Sequence, residues 1–286
     1  MIVVDRLSFQ YPGSAAPALQ DVSLTIAPGD FVGVVGAAGA GKTTLLRCIN
    51  GLIPHFYAGR LAGRVTVGGA AVDTRPVAAM ARVVGTVLED AESQLVCAEV
   101  EEEVAFALEN ARLDPVQVRS RVNRALELVG AAHLRRRPTA FLSGGEKQRV
   151  AIATVLALEP RVLLLDEPTS ELDPLGTEEV FAVLGRLRRE LGLTIVVVEQ
   201  KTRLLAQYAG RLVVLDRGRV VMDGPPRAVL ARRDELAAYG VRVPQVSSLA
   251  AALGCTGEAT PVTPAEGREW LQKALRGAGH VRAARG

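Results

Sequence analysis

Short apolar runs alternate with turn residues from the amino terminus to about Glu89. "MIVVDRLSF", "ALQDVSLTIAPGDFVGVVG", "GRVTVGG" and "RVVGTVLE" read as strands, punctuated by Pro12-Gly13 and Pro28-Gly29. "FVGVVG" runs into a glycine-rich turn and then into "KTTLLRCINGLI", whose spacing is helical and which has Gly51 near its end. Strand, loop and helix thus follow one another. Beyond Glu89 the period changes. "EVEEEVAFALENARL" and "DPVQVRSRVNRALELVG" place apolar residues three and four apart with charges between them, and Asp114-Pro115 and Gly130 are start and stop signals for the second helix. Strands return at "RVLLLDEP", "TIVVVEQ" and "RLVVLDRGRVVMDG", with a helix from about Leu175 to Leu191 between the first two. After Gly224 the chain is richer in proline, glycine and small residues. Pro225-Pro226 opens a short helix, "VRVPQVSSLAAALG" suggests another, and "TPAEGREWLQKALRG" a third with Thr263 as its cap. The last residues, "AGHVRAARG", read as a loose tail.

Composition narrows the class. With 286 residues, 49% hydrophobic and 23% charged, the chain is a folded protein with room for one large core or two smaller ones. No apolar stretch approaches the roughly 18 residues of a membrane span, and Asp5 and Arg6 interrupt any signal-peptide core, so a cytoplasmic location is expected. Net charge is only +3, which argues for no nucleic-acid partner, and the run Arg135-Arg136-Arg137 reads as a solvated face. Cys48, Cys97 and Cys255 are far apart with no CxxC spacing and read as reduced packing thiols. His55, His133 and His280 are isolated in sequence.

Three segments carry chemistry. "GAAGAGKTT" (Gly36, Ala37, Ala38, Gly39, Ala40, Gly41, Lys42, Thr43, Thr44) fits the P-loop spacing: backbone N–H groups curl around a phosphate at the start of a helix, Lys42 reaches the β- and γ-phosphates, and Thr43 offers a hydroxyl to Mg²⁺. "VLLLDEP" ends an apolar strand in Asp166 and Glu167. Alone this pair is equally a helix cap; beside a P-loop, Asp166 supports the Mg²⁺ shell and Glu167 polarises a water. "LSGGEKQR" places Ser143, Gly144 and Gly145 at a helix start, either a plain Ser cap or an anion site.

Together, in the chain order P-loop, "LSGGEKQR", "VLLLDEP" and with helices between the first two, these segments resemble the ATPase domain of ABC transporters over roughly residues 1–224, and "LSGGEKQRVAIA" makes the resemblance specific. It implies an α/β fold: a P-loop domain at 1–224 with a parallel core sheet, antiparallel amino-terminal strands and a helical subdomain inserted at about 90–158, followed by a small dimerisation-type extension at 225–286. It implies a head-to-tail dimer, homomeric or heteromeric, binding ATP with Mg²⁺, in which Ser143, Gly144, Gly145 and Glu146 of one subunit close over the other's γ-phosphate. By the same likeness Tyr11 stacks on adenine, although a tyrosine there is also an ordinary core or turn residue. Glu167 is the catalytic base, and Asp173 in "SELDP" links the two sites. Two positions depart from the family pattern: Glu89 stands where a glutamine is usual and Gln200 where a histidine is usual. The expectation is compensation, with Glu89 serving as a metal ligand and Gln200 as a neutral hydrogen-bond donor to phosphate.

Within the family, "NGLIPHFYAGRLAGRV", "ESQLVCAEVEEEVAFALEN" and "GVRVPQVSSLAAALG" are most similar to the ATPases of energy-coupling factor (ECF) importers. That likeness implies ATP hydrolysis driving uptake of a vitamin or a cobalt or nickel ion, peripheral attachment to the cytoplasmic face of the membrane, a transmembrane scaffold with a separate substrate-binding membrane protein, and coupling helices docking beside Glu89. Two other readings stay open: a soluble non-transport ABC ATPase, such as an iron–sulfur assembly factor, and a weakly hydrolysing half of a heterodimer.

Overall fold

The computed structural model describes residues 1–255 and 257–283. Strands β1 (Ile2–Gln10), β2 (Leu19–Ile26), β3 (Phe31–Val35), β4 (Arg60–Val67), β5 (Ala70–Ala71), β6 (Val84–Val87), β7 (Val162–Asp166), β8 (Thr194–Val198), β9 (Arg211–Asp216) and β10 (Arg219–Gly224) form two sheets. The larger has the order β10-β9-β3-β8-β7-β6. It is parallel except for the β9–β10 hairpin. The smaller, β2-β1-β4-β5, is antiparallel.

β3, β7 and β8 are buried at every position, which explains why their sequences are unbroken apolar runs: a sheet covered on both faces has no polar side to alternate with. The pleat sends Val32, Val34, Leu164, Val196 and Val198 into one apolar cluster with the helix Lys42–Ile49 and the antiparallel sheet. Phe31, Val35, Leu163, Leu165, Ile195 and Val197 enter the other. That second cluster is roofed by helices Val100–Asn110, Pro115–Leu128, Gly144–Leu156 and Pro174–Leu191.

In β1 the pairing register shifts between Val4 and Leu7, and Asp5 and Arg6 are both exposed. This bulge resets the alternation, so Leu7 and Phe9 face the same core as Ile2 and Val4.

Local signals account for several boundaries. Asp114 accepts the Val116 N–H at 2.7 Å and Pro115 occupies the first turn, so the second insert helix begins where its cap predicts. The helix after the P-loop stops at Ile49, short of the sequence expectation, because Gly51 adopts φ +84 and a separate turn, Leu52–His55, follows. Helices Val77–Ala81, Ala91–Gln94, Thr202–Tyr208 and Arg233–Ala238 were not anticipated; none is long enough to display a helical period.

Beyond β10, Val229, Leu230, Leu236, Val241 and Val262 join the same apolar cluster as Leu204 and Leu205. The helix Pro226–Leu230 is tied to the final helix, Pro264–Ala283, by the Arg227–Glu266 ion pair at 2.6 Å. The tail read as loose, 278–286, overlaps that helix as far as Ala283, and 284–286 lie outside the described residues.

Leu164 is fully buried in β7, between β6 and β8. Leu164→Ala is expected to lower unfolding free energy by about 2–5 kcal/mol, read as an earlier urea midpoint, whereas Val116→Ala on the exposed insert helix stays within about 0.5 kcal/mol.

Candidate active site

The turn after β3 can be built only from residues that tolerate its backbone. Gly36 sits at φ +152, and a Cβ there would stand 2.2 Å from the Leu215 carbonyl oxygen. Gly41 sits at φ +102, where a Cβ would lie 2.4 Å from the Ala18 oxygen. Both conformation and crowding therefore demand glycine. The loop leads into the helix Lys42–Ile49, so its amides and the helix's positive end meet at one place, the arrangement that holds an anion. Lys42 is 6% exposed, donates to the carbonyl oxygens of Gly36 at 2.9 Å and Ala37 at 3.0 Å, and lies 4.0 Å from a Glu167 oxygen. The P-loop lysine and the carboxylate at the end of β7 thus share one site.

Asp166 is 8% exposed, with the Thr43 hydroxyl near it. Burial pushes its carboxyl above the usual aspartate range, and Glu167 pushes the same way; the Thr43 hydroxyl, Arg47 and Lys42 pull against it. A buried carboxylate beside a hydroxyl is a hard-oxygen pair suited to Mg²⁺, which typically takes one or two protein carboxylates and completes its shell from phosphate and water. The donor set fits that use. Among the described residues no three His, Cys, Asp or Glu side chains cluster to hold a metal without such outside ligands.

Glu167 has φ +44, in the left-handed region that costs a non-glycine residue roughly 1–2 kcal/mol. Its N–H is fixed to the Val198 oxygen at 2.9 Å. The Gln200 amide donates to both Glu167 oxygens, at 3.0 and 2.9 Å. Gln200 was expected to address phosphate; in this structure its amide donates to the catalytic-base candidate.

Glu199 anchors this arrangement, a role the sequence reading did not assign. At 2% exposure it accepts from the Thr169 hydroxyl at 2.5 Å and from the Gln200 and Lys201 N–H groups at 2.8 and 3.1 Å. Lys201 in turn donates to the Thr169 carbonyl at 2.5 Å and the Thr177 hydroxyl at 3.1 Å. The signal was visible: a charged residue directly after five buried strand positions must have partners.

Glu89 is exposed, two residues past β6. Its carboxyl is raised, first by desolvation and then by Glu167, Asp166 and Glu171, while Lys42 pulls it down. The chain leading to it is strapped by Gln94, which accepts from Leu88 N–H at 3.0 Å and donates to the Thr86 oxygen at 3.1 Å.

The Tyr11 hydroxyl lies 3.3 Å from Thr44 Oγ1 and accepts from Arg47 at 3.2 Å. The Tyr11 ring packs edge-on to Phe9 and Tyr57, with Arg47 4.4 Å from the Tyr57 ring centre. Arg47 and Tyr57 were also missed, because nothing local in sequence joins them to Tyr11.

The third motif lies apart. Ser143 caps its helix by accepting from the Glu146 N–H at 3.4 Å, and Glu146 accepts from the Ser143 N–H at 2.8 Å, a reciprocal capping box. The bond from the Ser143 backbone is the main influence holding the Glu146 carboxyl below the usual range, with Arg137 adding to it. Asp173 caps the next helix at 2.7 Å from the Gly176 N–H. A cavity of about 590 Å³ at the P-loop is lined by Gly36, Ala37, Ala38, Glu167 and Gln200, among others, and by none of Ser143, Gly144, Gly145 or Glu146.

The ABC transporter family model matches residues 19–170. A protein of Pyrococcus abyssi, described as an ABC transporter ATP-binding protein, is 45% identical over 244 residues, covering 85% of this chain and 87% of its own. CbiO1 of Clostridium perfringens, described as part of the ABC transporter complex CbiONQ, superimposes with a TM-score of 0.75 at 33% identity, covering 87% of this chain and 97% of its own. The ATP-binding cassette MJ0796, in a dimeric post-hydrolysis state with ADP and phosphate, matches with a TM-score of 0.68 at 25% identity, covering 79% of this chain and 99% of its own.

Gln200 and Glu167 act as one unit in this geometry, so their effects should not add. Gln200→Ala is expected to lower ATP turnover about tenfold, and to change it by less than about twofold when Glu167 is already Gln. Additive losses in steady-state assays of the single and double variants would show that the two side chains work separately.

Proposed function

The chain belongs to the ABC transporter ATP-binding family, and from that premise we propose that it is the ATP-hydrolysing subunit of an ECF-type membrane importer. The observation that carries the hydrolytic part is the meeting, in one site, of the P-loop lysine with a carboxylate held on both oxygens by an amide. The loop amides and Lys42 bind the phosphate chain of ATP, while Thr43 and Asp166 hold Mg²⁺, which neutralises phosphate charge when bound. Glu167 takes a proton from water as its oxygen attacks the γ-phosphorus. The bond between that phosphorus and the bridging oxygen breaks, leaving ADP and phosphate. Gln200 keeps the Glu167 carboxylate oriented for that transfer.

The importer part is supported by the likeness to CbiO1 along most of both chains. On this reading a transmembrane scaffold and a substrate-binding membrane protein complete the transporter, which carries a vitamin or a transition-metal ion. The exposed Leu88, next to Glu89 in the chain, and the exposed Val96 and Phe106 offer apolar surface for the scaffold's coupling helices. Attachment is peripheral, at the cytoplasmic face of the membrane; among the described residues no helix is long and apolar enough to cross one.

A second subunit completes the site, because the signature residues do not line their own chain's phosphate cavity. In the dimer Ser143, Gly144, Gly145 and Glu146 reach the partner's nucleotide, Asp173 joins the two sites, and Tyr11 stacks on adenine. The segment 225–286 serves as a dimerisation extension: an apolar groove of about 1000 Å³ runs past Leu172, Pro174, Val243, Leu249, Trp270 and Leu271, beside Asp173.

A second reading, a weakly hydrolysing half of a heterodimer, draws on the neutral Gln200 holding the base. ATP turnover by the chain alone separates the two. Turnover rising more steeply than linearly with protein concentration, and at least about 100-fold lower in Glu167→Gln, is expected of a working homodimer. Tight ATP binding without turnover would favour the heterodimer. Leu249 is 54% exposed in the groove, so Leu249→Glu is expected to weaken self-association at least about tenfold in sedimentation while leaving ATP affinity unchanged.

A further inference from the structure

The cavity at the P-loop is not closed by the sheet and its loops alone. Its lining continues from Ala37, Ala38, Glu167 and Gln200 onto Gly240, Val241 and Arg242, about forty residues after Gln200 in the chain.

Three contacts fix that segment against the site. Gly240 has φ +68, and a Cβ there would stand 3.1 Å from the Ala37 Cβ, so its backbone lies directly against the phosphate loop. Val241, 7% exposed, belongs to the apolar cluster that includes Leu204 and Leu205. The Thr202 hydroxyl donates to the Arg242 carbonyl at 2.7 Å. The Arg242 backbone is thus held by the same short helix that follows Gln200, and Arg242 is an exposed residue of the cavity lining.

The charges around the cavity are unevenly engaged. Lys42 donates to the Gly36 and Ala37 carbonyls, and Lys201 to Thr169 and Thr177. Glu199 is taken up by Thr169 and two amides, and Glu167 by Gln200. Among the described residues no carboxylate lies within ion-pair reach of Arg242. A guanidinium stays charged at any working pH and matches phosphate oxygens in pairs.

We propose that Arg242 binds the terminal phosphate of the nucleotide, supplying from the carboxy-terminal segment a positive charge that Gln200 cannot carry. The inference rests on the nucleotide-hydrolysis reading of this site. It also gives the extension a role in each subunit's own site, separate from holding two subunits together.

The test compares ATP and ADP, each with Mg²⁺, by calorimetric titration in a Glu167→Gln background so that ATP survives the measurement. Arg242→Ala is expected to weaken ATP binding about tenfold and ADP binding by less than about twofold, and Arg242→Lys to recover part of the loss. Equal losses for both nucleotides, or none, would overturn the proposal. So would unchanged ATP affinity with weakened self-association, which would place Arg242 against the second subunit. If the parent protein binds neither nucleotide, the reading of the whole site fails, a result distinct from any effect of the Arg242 variants.

Discussion

A parallel sheet buried on both faces can admit charge only at its strand ends, and nearly every functional feature here follows from that limit. β3, β7 and β8 have no exposed position along their lengths, so their polar continuations (the P-loop, Asp166 with Glu167, and Glu199 with Gln200) all emerge at the carboxyl edge. Because β3 pairs with β8 and β8 with β7, these three continuations are neighbours. Helix amides and carboxylates then meet without any long-range search.

That concentration of charge sets the site's balance. Asp166 is raised mainly by burial, so its contribution to folding favours the protonated form: stability from this group is present at low pH and is lost as pH rises through its folded-state pKa. The ionised form of the group is therefore a strain on the fold. Glu89 is raised in the same direction. A carboxylate at this position deepens a negative site in which Lys42 is already bonded to its own loop.

How much could be read beforehand depended on distance along the chain. The P-loop spacing, the Asp-Glu pair after an apolar run, the Asp114 cap and the Ser143–Glu146 box are local, and each signals itself within a few residues. The network around Glu199 was half legible, since the charge after a buried strand was plain but Thr169 as its partner was not. The grouping of Tyr11, Arg47 and Tyr57 and the approach of Gly240 to Ala37 depend on tertiary packing, which leaves no period and no spacing to find. Short helices such as Ala91–Gln94 escaped for a different reason, being capped by Asp90 yet shorter than two turns.

The contact between Gly240 and Ala37 also constrains how this chain can change over generations. Any side chain at 240 would take an unfavourable positive φ and bring its Cβ to 3.1 Å from the Ala37 Cβ, closer than an ordinary contact. The phosphate loop and the carboxy-terminal segment therefore share one close approach, and a side chain at 240 can be fitted only by a small movement of one against the other.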